Sequence, residues 1–386
     1  MNTRDTFRKA LSSLTRRLPA RGARGLAAES YSTPYGQLLW RGFKRNRLAV
    51  AGLVFLAVLS LCAIFAQFIA PNSEPGRHSS RKYAPPSHLH LFSQDGHFHG
   101  PFVYELTSQR DPVSGKQSYE ENKDKILPIR LFVPSEKYRL WGILPLHTRL
   151  FGVVGGLWYP FGGDLQGRCV FSRIVYASRI SLSIAFLGAL LTVFFGTVLG
   201  TVSGYVGRAV DVIIQRIIEV IISFPRIPLW MALAAAIPVS WSPLDQFFLI
   251  SLVLSVLGWG GLARQIRGIV LSLRESDFVM AARSYAASDL RIMFRHILPN
   301  IIGVTIVNAT ILIPLMILGE TALSFLGLGL RPPINSWGVL LKDAQSVQAL
   351  ERYPWLLIPG AFIVLAILAF NFIGDGLRDA IDPHKH

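Results

Sequence analysis

Six long apolar runs, at 48–70, 180–205, 210–237, 247–262, 298–318 and 355–373, alternate with basic or polar stretches along the chain. At about 1.5 Å per residue each is read as long enough to cross roughly 30 Å of hydrocarbon. A backbone in lipid must satisfy its own hydrogen bonds, and the alternating strands of a barrel are missing from these runs, so they are predicted to be helices. Residues 71–179 read differently. They lack long apolar runs, are rich in Pro, Gly, Tyr and His, and contain alternating pieces such as Ile129-Arg130-Leu131-Phe132-Val133. That pattern predicts short strands. The expected fold is an all-α polytopic membrane protein with six transmembrane helices and a small β-rich extracytoplasmic insert.

The expected partition is a basic cytoplasmic arm (1–47), a first span (48–70), the insert (71–179), a five-helix core (180–374) and a short cytoplasmic tail (375–386). Composition agrees with a membrane location: 51% of the 386 residues are hydrophobic and only 16% are charged, too apolar a balance for an ordinary soluble domain. Residues 1–47 carry eleven Lys and Arg against two acidic residues, which by the positive-inside bias keeps this end in the cytoplasm. Six spans then place both termini there. The basicity of the arm would also suit nucleic acid, but an arginine-rich arm before a first span is more simply an orientation signal with affinity for anionic lipid. The run at 48–70 is too long for a cleaved leader, and reads as an uncleaved signal anchor.

Chemistry-bearing motifs are scarce. No G-x-x-x-x-G-K-[S/T] loop occurs, so any dependence on ATP must come from a partner. No zinc-protease helix, nucleophile elbow or Cys-rich metal spacing occurs either, so an enzyme has little support. Cys62 and Cys169 have no evident pairing partners. The histidines His88, His90, His97 and His99 flank Asp95-Gly96. They are read as exposed members of a half-buried hairpin whose other face is Leu89, Leu91, Phe98 and Phe102, with no metal expected.

One polar, Ala-rich segment stands out between two apolar runs: Asp277 to Pro299, with Ala281, Ala282, Ala286 and Ala287 giving a short helix a low profile. A cytoplasmic helix is expected within about 272–290. Phe278, Ala282 and Tyr285 recur at i, i+4, i+7 and are expected to share one face, shaped for another protein's groove. Arg264, Arg267, Arg274, Arg283, Arg291 and Arg295 surround the segment and place it in the cytoplasm. Ser288 is expected to cap the next helix.

Within the spans, Pro225, Pro228 and Pro314 are expected to interrupt or kink helices beside a cavity. Arg216 and Glu219 are spaced to neutralise each other. Glu320 is expected to hold the adjacent loop, with Arg331 as partner, or to face a solute path. Gly196 and Gly200 form a G-x-x-x-G read as a packing device.

The 277–299 pattern is similar to the E-A-A loop of ABC-importer permeases, with Met280 where Glu commonly stands and Ala286 where Gly usually follows. Four further stretches resemble the oligopeptide/dipeptide permeases: R-G-F-K-R-N-R-L-A-V-A-G-L from Arg41, G-D-L-Q-G-R-C-V-F-S-R-I-V-Y-A-S-R-I-S-L from Gly163, S-F-L-G-L-G-L-R-P-P-I-N-S-W-G-V-L from Ser324 and F-N-F-I-G-D-G-L-R-D-A-I-D-P from Phe370. In the second, Cys169 replaces an expected Asp and Ala177 an expected Gly. The expanded external segment looks like the Yej-type subgroup, associated with peptides and microcin C. The resemblance implies the type I importer fold and an inner-membrane location. It implies a second homologous permease, two ATPase subunits or domains that bind the ATP and Mg, and an external substrate-binding protein. It also implies ATPase coupling through Asp277, Phe278, Met280, Ala281, Ala282, Arg283, Tyr285, Ala286 and Ser288. Related permeases carry nickel, opines and oligosaccharides as well as peptides. A self-sufficient channel or ion-coupled carrier is the reading from another class. It would need paired inverted repeats or coupling acids, and the chain shows neither clearly.

Overall fold

The computed structural model describes residues 35–381 apart from 75, 95–96, 111–116 and 239; the first 34 residues of the basic arm and the turn Asp95-Gly96 lie outside the described residues. An amphipathic helix α1 (Tyr35–Arg45) leads into α2 (Arg47–Ile64) and a short turn α3 (Ala66–Ile69). The insert follows, with strands β1 (His90–Phe92), β2 (Phe98–Arg110), β3 (Gln117–Leu140) and β4 (Leu144–Val153). Then come α4 (Val170–Val206), α5 (Arg208–Ser223), α6 (Arg226–Ala235), α7 (Pro243–Leu273) and the short α8 (Asp277–Ser284). The chain ends with α9 (Asp289–Phe325), α10 (Trp337–Lys342), α11 (Val347–Arg352) and α12 (Pro354–Ile381).

Among the described residues five helices are long and apolar enough to cross a membrane, or six if α5 and α6 count as one bent span. Apolar side chains such as Val54, Val58, Phe186, Leu190 and Phe194 stand exposed along them. In water such surface would be an aggregation liability, and in lipid it is the ordinary outer face of a span.

The bundle is built around α4, which packs along α7 through a row of glycines. A Cβ on Gly196 would come within 2.9 Å of Leu262, one on Gly200 within 2.6 Å of the Ala263 carbonyl, and one on Gly204 within 2.9 Å of the Arg267 carbonyl. Backbones approach this closely only where side chains are missing, and dispersion contacts then take over the role that hydrophobic burial plays in water. On the other side α12 packs on α2, where a Cβ on Gly52 would meet the Ala369 carbonyl at 2.7 Å.

Helix α4 starts at Val170, ahead of the apolar run at 180–205, because its polar first turns are satisfied by a buried network. Asp164 is fully buried. Its Oδ1 accepts from the backbone N–H of Gln166 and Arg168 at 2.7 and 2.9 Å, and its Oδ2 accepts from Arg168 Nε at 2.7 Å and Arg173 Nη1 at 2.6 Å. Arg173 also donates to Asn335 Oδ1 at 3.1 Å and Asp343 Oδ2 at 2.7 Å, tying the start of α4 to the segment before and after α10. Cys169 occupies the N-cap position without a side-chain capping bond.

The insert is a four-stranded antiparallel sheet in the order β1-β2-β3-β4. Only Phe102 of the four apolar residues assigned to the buried face of the histidine hairpin is enclosed; Leu89, Leu91 and Phe98 are exposed. This corrects the sequence reading, and the reason is that β1 is an edge strand of only three residues, too short to cover the apolar side chains around it. His90 lies 3.4 Å from Glu121 and packs against Tyr104. The sheet is tethered to the end of α2, where Trp141 Nε1 donates to the Ile64 carbonyl at 2.8 Å and Arg149 Nη1 to Ala70 at 2.9 Å. With Arg179 Nε on the Ala63 carbonyl at 3.0 Å, these donors satisfy the carbonyls that a helix C-terminus leaves open.

Candidate coupling site and central cavity

Helix α8 follows α7 after a short turn and precedes α9, so it is carried between two long helices. Asp277 opens it, a favourable charge at the positive end of a helix dipole. Its faces are sharply divided. Val279 is fully buried and Ala282 nearly so, packed in a cluster with Tyr205, Ile266, Val270, Ile292 and Ile297. Phe278, Met280 and Tyr285 are exposed, Tyr285 at 89%. Ala281, Arg283, Ala286 and Ser288 are exposed too.

This corrects the expected face. Phe278, Ala282 and Tyr285 do not act as one stripe, because Ala282 pairs at i, i+3 with Val279 and faces the protein's own helices. The free surface is instead Asp277, Phe278, Met280, Ala281 and Tyr285. Periodicity alone assigns a stripe without saying which side the bundle occupies.

The turn after α8 is a Schellman motif. Ala287 N–H donates to the Ala282 carbonyl at 3.1 Å and Ala286 N–H to Arg283 at 2.9 Å. Ala286 sits in the left-handed region at φ +53°. Gly is the usual residue there because a Cβ costs about 1 kcal/mol or more in that conformation. Ser288 Oγ then accepts from Arg291 N–H at 3.4 Å, capping the start of α9. Residues Ile292–Ile297 form a π turn. Pro299 has no N–H for the Arg295 carbonyl, so the ladder widens here and Leu298 N–H reaches back to Met293.

Two polar contacts brace this end of the bundle. Tyr205 Oη donates to Asp289 Oδ1 at 2.7 Å, and Arg283 lies 5.3 Å from the Tyr205 ring centre. Asp211 accepts from Arg267 Nε and Nη2, both at 2.6 Å, and from Ser203 Oγ at 2.5 Å. Arg267 is 56 positions from Asp211 along the chain, so no local spacing signals this pair. Arg216 pairs with Glu219 at 2.8 Å on an exposed face.

The prolines behave differently from one another. Phe224 is extended and the chain turns by 89° between α5 and α6 at Pro225, as the steric restriction on a pre-proline residue favours. Pro228 lies in the first turn of α6, where its missing N–H costs little. Pro314 is buried within α9, which continues past it to Phe325.

Glu320 is fully buried and accepts from Ser324 Oγ at 2.7 Å and Ser181 Oγ at 3.4 Å, with Ser336 a third hydroxyl partner. Arg331 is not among its partners, which corrects the expected pairing; Arg331 lines a separate recess with Gln246 and Leu328. Hydroxyl clusters are hard to foresee because a serine 139 positions from the carboxylate it bonds leaves no local signal.

Beside the break, α6, α7 and α9 enclose a cavity lined by Arg226, Trp230, Leu262, Gln265, Asn308 and Met316, among others.

The comparisons with known proteins fit this architecture. Residues 196–386 match the model of the binding-protein-dependent transport system inner membrane component, and residues 34–86 match the N-terminal TM domain of oligopeptide transport permease C. A putative peptide permease protein of Brucella ovis is 43% identical over 225 residues, 58% of this chain and 72% of that protein. The oligopeptide transport system permease protein OppC of Haemophilus influenzae is 42% identical over 224 residues, covering 58% and 70%. The dipeptide transport system permease protein DppC of Bacillus subtilis is 31% identical over 352 residues, covering 91% and 87%. The chain is therefore a multi-pass inner-membrane transport permease subunit. It belongs to the family of binding-protein-dependent transport permeases, on the oligopeptide and dipeptide permease branch.

Proposed function

We propose that this chain is one permease subunit of an ATP-driven importer for peptides or peptide-like compounds, of the Yej-type subgroup. It supplies half of the pathway beside a second homologous permease. Two ATPase subunits or domains bind the ATP and Mg, and an external binding protein delivers the solute. Both termini and α8 lie on the cytoplasmic side.

The observation that carries this reading is the two-faced α8. Val279 and Ala282 lock it to α4, α7 and the base of α9, while Phe278, Met280 and Tyr285 project as an apolar edge left exposed by the described residues. Such an edge, flanked by Arg283, suits an apolar cleft with acidic rims on an ATPase. Closure of the ATPase pair is then transmitted as a rigid-body tilt of the helices to which α8 is bonded, and solute access alternates between outside and inside. The insert, tethered at the outer end of α2, contacts the binding protein.

Uptake of labelled peptides by cells lacking and then regaining this chain, with purification of its complex, is the test. Loss and recovery of uptake together with copurified ATPase chains supports the proposal. Solute flux through this chain alone in liposomes, or ATP hydrolysis by the chain alone, overturns it. Deleting residues 85–150 with assembly intact is expected to abolish delivery; unchanged uptake rejects the role of the insert.

A further inference from the structure

We propose that the cavity between α6, α7 and α9 is a waypoint that holds the C-terminal carboxylate and adjoining amide of a peptide in transit. The inference rests on the peptide-importer reading above.

The cavity gathers hydrogen-bond donors in otherwise apolar walls. Arg226 opens α6 and enters no ion pair or hydrogen bond among the described residues; its guanidinium carbon lies 5.9 Å from the ring centre of Trp230. Stacked this way, the guanidinium keeps its N–H edge free for a planar carboxylate. Trp230 is only 5% exposed, and its indole N–H has no acceptor. The benzo edge of its ring lies against Gly319, where a Cβ would come within 3.1 Å. That contact fixes the ring and puts the N–H at the opposite end. A buried indole N–H ordinarily has a partner, and one left open costs about 1–3 kcal/mol. That nitrogen is enclosed in the resting arrangement, so a carboxylate entering the cavity becomes its acceptor only by displacing the side chains packed against it.

The backbone adds to this. Because the chain turns at Pro225, the first N–H groups of the ten-residue α6 have no helical carbonyl behind them, and the first intrahelical bond runs from Leu229 to Pro225 at 3.1 Å. Pro228 has no N–H, so the free donors are those of Arg226 and Ile227, and their partial positive charge adds to that of Arg226 at this end of α6. Across the cavity, Asn308 Nδ2 donates to the Val304 carbonyl at 2.9 Å, which leaves its Oδ1 to accept. Gln265 offers a further amide. A cation and indole N–H on one side and a carbonyl acceptor on the other match a carboxylate next to a peptide N–H. Leu262, Leu312 and Met316 leave room for an apolar side chain. A bare carboxylate crossing apolar walls would pay a large desolvation cost, and these donors lower it.

The experiment uses the assembled transporter in proteoliposomes, supplied with saturating loaded binding protein, and compares uptake of a peptide with that of its C-terminal amide. Arg226→Gln is expected to slow uptake of the free acid about tenfold while changing the amide less than twofold. Arg226→Lys keeps the charge without the planar fork and should recover part of the free-acid rate above that of Arg226→Gln with the amide rate unchanged, which separates the site from a folding defect. Trp230→Phe should slow the free acid selectively as well. Equal loss for acid and amide, or an unchanged acid rate in Arg226→Gln, overturns the waypoint and leaves the importer standing. A wild-type complex that moves neither peptide overturns the peptide reading itself, and the waypoint with it.

Discussion

Tyr205 at the end of α4 donates its hydroxyl to Asp289 at the start of α9, 2.7 Å away, while Arg283 of α8 lies over its ring. One aromatic side chain thus joins the helix proposed to meet the ATPase to the two longest helices of the bundle. In Tyr205→Phe the ring contact survives and the charge-assisted bond is lost, a cost of about 1–2 kcal/mol. We expect the complex to assemble and hydrolyse ATP while transport per ATP falls severalfold. Parallel measurement of ATPase rate and uptake checks this.

The Asp211–Arg267 pair joins α5 to α7 at the same end, with two 2.6 Å bonds and Ser203 as a third partner. Removing either member strands the other in a partly buried site. Each single change, Asp211→Asn or Arg267→Met, is expected to lower stability by about 1–2 kcal/mol, and a double-mutant cycle should show coupling of about 1 kcal/mol. Thermal unfolding in detergent reads both.

Ala286 carries the left-handed turn after α8 at φ +53°. Ala286→Gly removes the Cβ clash, and even after the extra backbone entropy of Gly in the unfolded chain a gain of up to about 1 kcal/mol is expected. Ala286→Val should lower stability and weaken ATPase copurification, because a β-branched residue resists this conformation still more.

Close packing of α4 on α7 depends on Gly200, where any Cβ meets the Ala263 carbonyl at 2.6 Å. Gly200→Leu forces the helices apart and should abolish accumulation of folded protein. The control Gly268→Ala, at a position with open space around it, should be close to neutral. Detergent-extracted yield by size-exclusion chromatography separates the two.

Most of the spans are legible as apolar runs because lipid imposes length and hydropathy together, and the break at Phe224-Pro225 is legible because proline restricts its predecessor. What the sequence leaves open is whatever depends on distant partners. Arg173 and Asp164 lie within one motif, yet Asn335 and Asp343 complete their network from the far end of the chain. The early start of α4 follows from that network, because Arg173 and Arg179 interrupt the apolar residues of its first turns and find their partners only in three dimensions. Periodicity likewise finds α8 but not its inner face, since Val279 and Ala282 are no more apolar than Phe278 and Met280. Arg226 stands between two prolines with no local sign of a role, and its neighbours Trp230, Gln265 and Asn308 come together only in three dimensions.

The central claim is that the outer face of α8 meets an ATPase and its inner face does not. Single cysteines at Phe278, Tyr285 and Val279, in a chain from which Cys62 and Cys169 have been removed, test it by crosslinking to a cysteine on the ATPase cleft. The account predicts nucleotide-dependent crosslinks from Phe278→Cys and Tyr285→Cys and none from Val279→Cys. Crosslinking from Val279→Cys alone, or labelling of Tyr285→Cys by an impermeant reagent from outside the cell, would contradict it.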